Sequence, residues 1–237
     1  EAVSLKEAVQ RADLIFIAAP VGAFADIFAE IARWLKDGTL ITDGGSTKQN
    51  VVDAARLGLK ERIAQFIPSH PMAGSHQKGP QSADVDLYVG RNVILTPLPE
   101  NHHEAVALVR QVWHDCGAKV VTLAPAQHDQ AVAAVSHMPH WLASIFMQHI
   151  MQSDDVQTKL QTAGTGFRDF TRVAQGSGEI WRDIFMANRS AMLDEIAAFR
   201  QVMDRAEQAL AQGDDAWLMD MLEAAAQARA NWIGNHS

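Results

Sequence analysis

Apolar positions in this chain follow two different rules. Over residues 1–124, short unbroken apolar runs alternate with stretches of helical spacing. Leu14-Ile15-Phe16-Ile17-Ala18-Ala19 is one such run, closed by Pro20. Next, Phe24, Ile27, Phe28, Ile31 and Leu35 step by three and four, which is one stripe of an amphipathic helix. The alternation continues with runs over 39–42, 66–67, 92–96 and 119–123, and helical stretches over 4–12, 51–59 and 102–114. Runs joined by helices predict crossovers and a largely parallel sheet covered on both faces. Ligands of such sheets lie beyond the carboxyl ends of the strands. Pro20, Ser46 and His70 all fall at predicted carboxyl ends.

Beyond Ala124-Pro125 the strand pattern stops. Residues 126–151 have helical spacing with Pro139 inside, and a proline there removes a backbone donor and should kink or interrupt the helix. Residues 179–211 read as one longer helix, striped by Phe185, Met192, Ile196, Phe199, Met203, Ala206 and Leu210. Gly213 ends it, Asp214 can cap the next helix, and 216–233 follows. A stripe that long needs a partner surface. The expected organisation is therefore an α/β domain over 1–124 and an all-helical domain over 125–237.

Composition narrows the function classes. A 48% hydrophobic, 20% charged chain can bury a core. Its net charge of −8 argues against a nucleic-acid partner. Cys116 is the only cysteine, so an internal disulfide is impossible, in keeping with a reducing, cytoplasmic setting. No apolar run reaches membrane-span length, so no membrane partner is expected. The chain opens on Glu1, in mid-pattern, and contains no G-x-G-x-x-G after a strand. An alternating sheet domain that binds a dinucleotide would carry that motif in a unit upstream of residue 1, so the domain is expected to be N-terminally incomplete.

Three blocks could carry chemistry. In Ser69-His70-Pro71-Met72-Ala73-Gly74, a neutral His70 imidazole at a strand end could accept a proton from a hydroxyl; it could equally hydrogen-bond only its own loop. In Asp43-Gly44-Gly45-Ser46-Thr47-Lys48, the glycines allow close backbone approach and Ser46 could bond a ligand, cap a helix, or both. His137 and His140 share a helix face beside Pro139. A metal site would need a third ligand such as His128 or Asp129, and neither zincin spacing nor cysteine ligands occur, so no metal is expected. Arg168 and Arg172 are the best anion ligands of the second half, with surface pairing to Asp169 or Asp183 as the plain alternative. Gly164-Thr165-Gly166 is a weak phosphate loop, because no strand precedes it.

In this order and spacing the blocks resemble the prephenate/arogenate (cyclohexadienyl) dehydrogenase family of tyrosine biosynthesis. The resemblance runs from Ala19-Pro20-Val21 through the glycine-serine block, the His70 block, Ser136-His137-Met138-Pro139-His140 and Phe167-Arg168-Asp169-Phe170-Thr171-Arg172 to Trp181-Arg182-Asp183-Ile184-Phe185. It implies an NAD(P)-binding Rossmann-like domain lacking its first βαβ unit, then an all-α dimerisation domain. It implies NAD(P)-dependent oxidative decarboxylation of prephenate or arogenate by a homodimer. By resemblance His70 polarises the substrate hydroxyl and Ser46 orients it. Arg172 binds a carboxylate with Asp169 holding it, and His128 and His140 line the pocket. Gly74, Ser75, Thr165, Gly166 and Trp181 join that pocket, Trp181 as a residue reaching the other subunit's site. Ala19, Pro20, Asp43, Gly45 and Ser46 contact the cofactor. His76 departs from relatives that are acidic there, which leaves prephenate against arogenate open. An ordinary imidazole at His70 would lose activity in mild acid. The competing readings are a β-hydroxyacid dehydrogenase or imine-reductase-like enzyme, and a non-catalytic dimeric module that binds aromatic metabolites.

Overall fold

The structure is a computed structural model that describes residues 3–74 and 83–234. Contacts divide the chain into two compact units, 1–192 and 193–237.

In the first unit, α1 (Leu5–Arg11), β1 (Leu14–Ile17), α2 (Phe24–Ala32), β2 (Leu40–Asp43) and α3 (Gln49–Leu59) follow the alternating pattern closely. β1 and β2 pair in parallel, Leu14 with Leu40 through Ile17 with Asp43. The stripe of α2 behaves as its spacing requires: Phe24, Phe28 and Ile31 are buried against Val51, Val52, Ala55 and Leu59 of α3. Phe28 also meets Phe66 edge-on, with ring centroids 4.9 Å apart. Each such buried side chain contributes about 1.5–3 kcal/mol relative to exposure.

The run at 66–67 makes only a single parallel bridge, Ile41 to Phe66. The strand proper comes later, as β3 (Ser69–Pro71), and it runs antiparallel to β4 (Asn92–Leu95). His70 therefore lies inside a strand, paired with Ile94, and not beyond a strand end as its sequence position suggests. β4 pairs in parallel with β5 (Lys119–Thr122), reached through α4 (His103–Asp115). Ile67, Val93, Leu95, Val109 and Trp113 form the second apolar core.

The helical half begins with α5 (Pro125–Val132). A π-helical turn, Ala133–His137, then interrupts the helix before α6 (Met138–Met151). Pro139 sits in the first turn of α6, where its missing N–H costs least. The wider turn just before it absorbs the break. α7 (Val156–Gln161), α8 (Thr165–Thr171) and α9 (Gly178–Ala187) follow. The expected single helix over 179–211 is in fact two, because Asn188 leaves the helical backbone at φ −104°, ψ 30° between α9 and α10 (Arg189–Gln212). Asn188 turns its side chain inward instead, donating to the Asp129 carbonyl at 2.7 Å.

The second unit holds the later part of α10 and α11 (Asp215–Gly234). Asp214 caps α11 as expected, accepting from Trp217 N at 3.1 Å, and pairs with Arg205 at 3.0 Å. Among the described residues, no helix is long and apolar enough to cross a membrane.

Candidate active site

The turn after β2 carries the first part of the site. Asp43 is fully buried, and its carboxylate accepts from Gly45 N at 2.8 Å, from Ser69 N at 2.9 Å and from the buried Lys48 ammonium. Lys48 also donates to the Ser69 carbonyl at 2.6 Å. The residue before His70 is thus fixed through both its N–H and its carbonyl. This corrects the expectation for Asp43. Its oxygens hold the protein together and are not presented to a cofactor.

His70 is 7% exposed, and its Nδ1 lies 2.8 Å from His128 Nε2. His128 Nδ1 lies 2.8 Å from Asp129 Oδ1. The same carboxylate accepts from Lys48 N at 2.7 Å and Gln49 N at 2.9 Å, at the start of α3. A carboxylate at a helix N-terminus serves there as a hydrogen-bond acceptor. It accepts from His128 Nδ1–H, so His128 Nε2 is an acceptor. His70 must then donate from Nδ1, which leaves the lone pair on Nε2. Among the described residues nothing hydrogen-bonds that nitrogen.

His128 is completely buried behind His70, so it does not line a pocket as expected; it sets the orientation of the ring in front of it. Asp129 caps α3 across 80 residues, where sequence suggested Ser46 as a local cap. Burial, then the Lys48 cation and the two neighbouring histidines, hold His70 well below the ordinary imidazole pKa. Burial likewise brings His137 down to about 4, and it lowers His140.

Two cavities open near this region, and His70 is in the described wall of neither. One, of about 340 Å³, lies at the carboxyl ends of β1 and β2 and is walled by Phe16, Ala19, Pro20, Gly44, Gly45 and Ser46. A Cβ on Gly44 would sit 3.1 Å from Phe16 Cζ in the cavity wall, while one on Gly45 would meet the buried Asp43 carboxylate, 2.8 Å from Oδ2. The other, of about 790 Å³, brings together Ser46, Gly74, His140, Arg172, Gly176 and Trp181. Ser46 lines both, and among the described residues its hydroxyl has no partner. Arg172 is the only charged residue in the described wall of the larger cavity, and it is free of ion pairs among the described residues. His140 and Trp181 of the same chain stack at 3.6 Å and 14°.

Several expected residues fall elsewhere. Asp169 pairs with Arg168 at 3.5 Å on the exposed face of α8, so it does not hold Arg172. Thr165 and Gly166 are exposed in the first turn of α8 and line neither cavity. Ser75 and His76 lie outside the described residues.

Comparison with known proteins decides the family. Residues 1–122 match the prephenate dehydrogenase nucleotide-binding domain, and residues 124–224 match the prephenate dehydrogenase dimerization domain. The chain belongs to the prephenate dehydrogenase family. Its fold is accordingly a Rossmann-like nucleotide-binding domain followed by a helical dimerisation domain.

Within the family, the chain is 35% identical over 207 residues to a prephenate dehydrogenase of Lactococcus lactis, covering 85% of this chain and 56% of that protein. It is 30% identical over 230 residues to a cyclohexadienyl dehydrogenase of Zymomonas mobilis, covering 95% of this chain and 77% of that protein. The chain thus spans little more than half the length of the first of these relatives. Among solved structures, prephenate dehydrogenase of Aquifex aeolicus in complex with hydroxyphenyl propionate and NAD+ superposes with a TM-score of 0.89 at 27% identity, over 97% of this chain and 80% of that one. Arogenate dehydrogenase of Synechocystis superposes with a TM-score of 0.84 at 27% identity, over 97% and 82%.

Proposed function

We propose that this protein oxidatively decarboxylates prephenate, arogenate or both, with NAD(P)+ as oxidant. The observation that carries the reading is the Asp129–His128–His70 chain of hydrogen bonds. It aligns His70 as a base with its lone pair on Nε2. Ser46, Gly74 and Arg172 stand together in the larger cavity.

The smaller cavity suits the nicotinamide end of such a cofactor: its walls are mostly apolar, and a Cβ on Gly44 would press on Phe16 and touch Pro71 in that wall. Ala19, Pro20, Gly45 and Ser46 would hold it there. Bound NAD(P)+ would supply the hydride acceptor.

The chain's own residues would do the rest. His70 Nε2 takes the proton of the hydroxyl on ring carbon C4 as the C4 hydrogen departs with its electron pair. The Ser46 hydroxyl orients that oxygen. As the ring carboxylate leaves as carbon dioxide, its bonding electrons complete the aromatic ring. The proton held by His70 then returns to the oxygen, now phenolic. Arg172 binds a substrate carboxylate, and a cavity whose described wall has one cation and no carboxylate favours an anionic ligand.

The reading includes a homodimer formed through the long helices, supported by the match to a dimerization domain and by the exposed apolar residues Leu193, Val202, Met203 and Leu210. It also includes a cytoplasmic location, in keeping with a biosynthetic enzyme of small acids. The test is reduction of NAD+ and of NADP+ by the purified protein with prephenate and with arogenate. Saturable reduction with at least one pair is expected, and no reduction with any of the four overturns the reading.

A further inference from the structure

Gly176 ends the short 3₁₀ turn Arg172–Gln175, with φ −60° and ψ 160°. Any residue adopts that backbone, so conformational freedom is not why glycine stands there. Space is. A Cβ on Gly176 would lie 2.4 Å from Trp181 Nε1, 2.7 Å from Trp181 Cδ1 and 2.8 Å from His140 Cε1. All three distances are far inside the ordinary carbon contact distance of about 3.5–4.0 Å. The atoms belong to the two stacked rings, whose centroids are 3.6 Å apart. The imidazole has little room, and the indole can yield only by leaving the stack. His140 is 5% exposed, and Phe185 lies 5.4 Å from the Trp181 ring.

The stacked pair is also a shared wall. His140, Gly176 and Trp181 line the larger cavity with Ser46 and Arg172. They line a second one, of about 390 Å³, with Trp141, Phe185 and Met186. A methyl group at position 176 would drive the indole off the imidazole and into one cavity or the other.

We propose that Gly176 is a specificity-determining residue: its missing side chain lets Trp181 lie flat on His140, and this flat aromatic wall receives the six-membered ring of a carboxylated substrate. The choice of ligand class rests on the proposed function above. The steric part rests on the distances alone. A planar wall matches the apolar face of a cyclohexadienyl or hydroxyphenyl ring, and a tilted indole does not.

The test compares Gly176→Ala, Trp181→Ala and the double variant. The position of the His140 Hε1 proton resonance, assigned against His140→Gln, reads the stack. Calorimetry with hydroxyphenyl propionate reads the wall's affinity. In Gly176→Ala the resonance should move downfield toward its position in Trp181→Ala, as the ring current of the indole is lost. Affinity should fall roughly 10-fold or more, the scale of overpacking a close-packed site. In the Trp181→Ala background Gly176→Ala should change little further, because the space is already open. An unmoved resonance in Gly176→Ala, unchanged affinity, or losses that simply add would each overturn the proposal. A wild-type protein that neither binds hydroxyphenyl propionate nor turns over a cyclohexadienyl acid would sink the functional reading and the ligand half with it. The steric half would still stand or fall on the resonance.

Discussion

His70 Nδ1 stands 2.8 Å from His128 Nε2, and His128 is in turn fixed by Asp129, so the His70 ring is oriented from behind by a fully buried residue. On the proposed mechanism, proton transfer and carboxylate binding fall to different residues. Replacing His70 with alanine should lower kcat by on the order of 10²–10⁴, the usual contribution of a general base. His128→Ala should also lower kcat, by less, while leaving KM little changed. Without the acceptor behind it, the His70 ring loses its enforced tautomer. Steady-state kinetics on both variants, with circular dichroism to confirm folding, checks this. A His128→Ala enzyme with normal kcat would show that the chain of hydrogen bonds is structural only.

Acid should destabilise the fold through its buried histidines. His137 titrates at about 4 in the folded protein, and His70 also lies well below 6.5, because burial disfavours the charged ring. Unfolded, both would take up protons near 6.5. Between those limits the unfolded state binds more protons, so stability is fully present above about pH 6.5 and is lost as pH falls toward 4. Each such histidine contributes a slope of about 1.4 kcal/mol per pH unit at full effect. Denaturant melts from pH 7.5 to 4.5 should show this decline, and His137→Asn should flatten it. The low pKa of His70 also changes the expected rate profile. The ring stays neutral in mild acid, so the acid limb of kcat/KM, which reports the free enzyme, should lie below pH 6.5.

Much of this was legible in the residue pattern, and the failures have physical causes. Period and punctuation placed α2, α3 and α4 with β1, β2, β4 and β5, because the helices bury complete stripes, whereas β3 fell a few residues beyond the apolar run at 66–67. The break at Pro139 was readable from one missing N–H, although its form as a π turn was not. The division at Asn188 was hidden because apolar spacing runs on through it, and the cause is a hydrogen bond to a carbonyl 59 residues away. Ser46, Gly74, His140, Arg172 and Trp181 do meet in one cavity. Lys48 and Asp129 were missed as parts of the site. Lys48 reads as a surface lysine and Asp129 as a helix residue, until strands from distant parts of the chain bury one and a helix N-terminus claims the other. Asp43 and His128 were identified, but for roles that burial excludes.

The second unit should not stay single in solution. Phe199, Met203, Leu210, Met219 and Leu222 are all at least one-third exposed on its two helices. An interface of ordinary size buries about 800 Å² per partner, and apolar residues such as these favour its core. Sedimentation at micromolar concentration should therefore give a dimer. Met203→Glu should dissociate it without abolishing helicity. Loss of helix content with dissociation would mean the helices fold only as a dimer, and a wild-type monomer would contradict the prediction.

Arg172 gives the most direct test of how substrate is held. It lines the larger cavity, its side chain is exposed, and no described residue pairs with it. A buried clamp would lose about 2–5 kcal/mol on truncation. Solvent screening at an exposed site puts the expectation lower, at about 1–2 kcal/mol, or roughly a 5- to 30-fold rise in KM for Arg172→Ala. Arg172→Lys should recover only part of this, since an ammonium cannot make the planar two-point contact. Arg168 is the internal control. It lies one helical turn earlier but points to Asp169 and lines neither cavity. Arg168→Ala should leave KM unchanged. A KM effect at Arg168 and none at Arg172 would move the clamp to the outer face of α8. Silence at both would leave the carboxylate to the Ser46 hydroxyl and the His140 ring, which share the cavity with it.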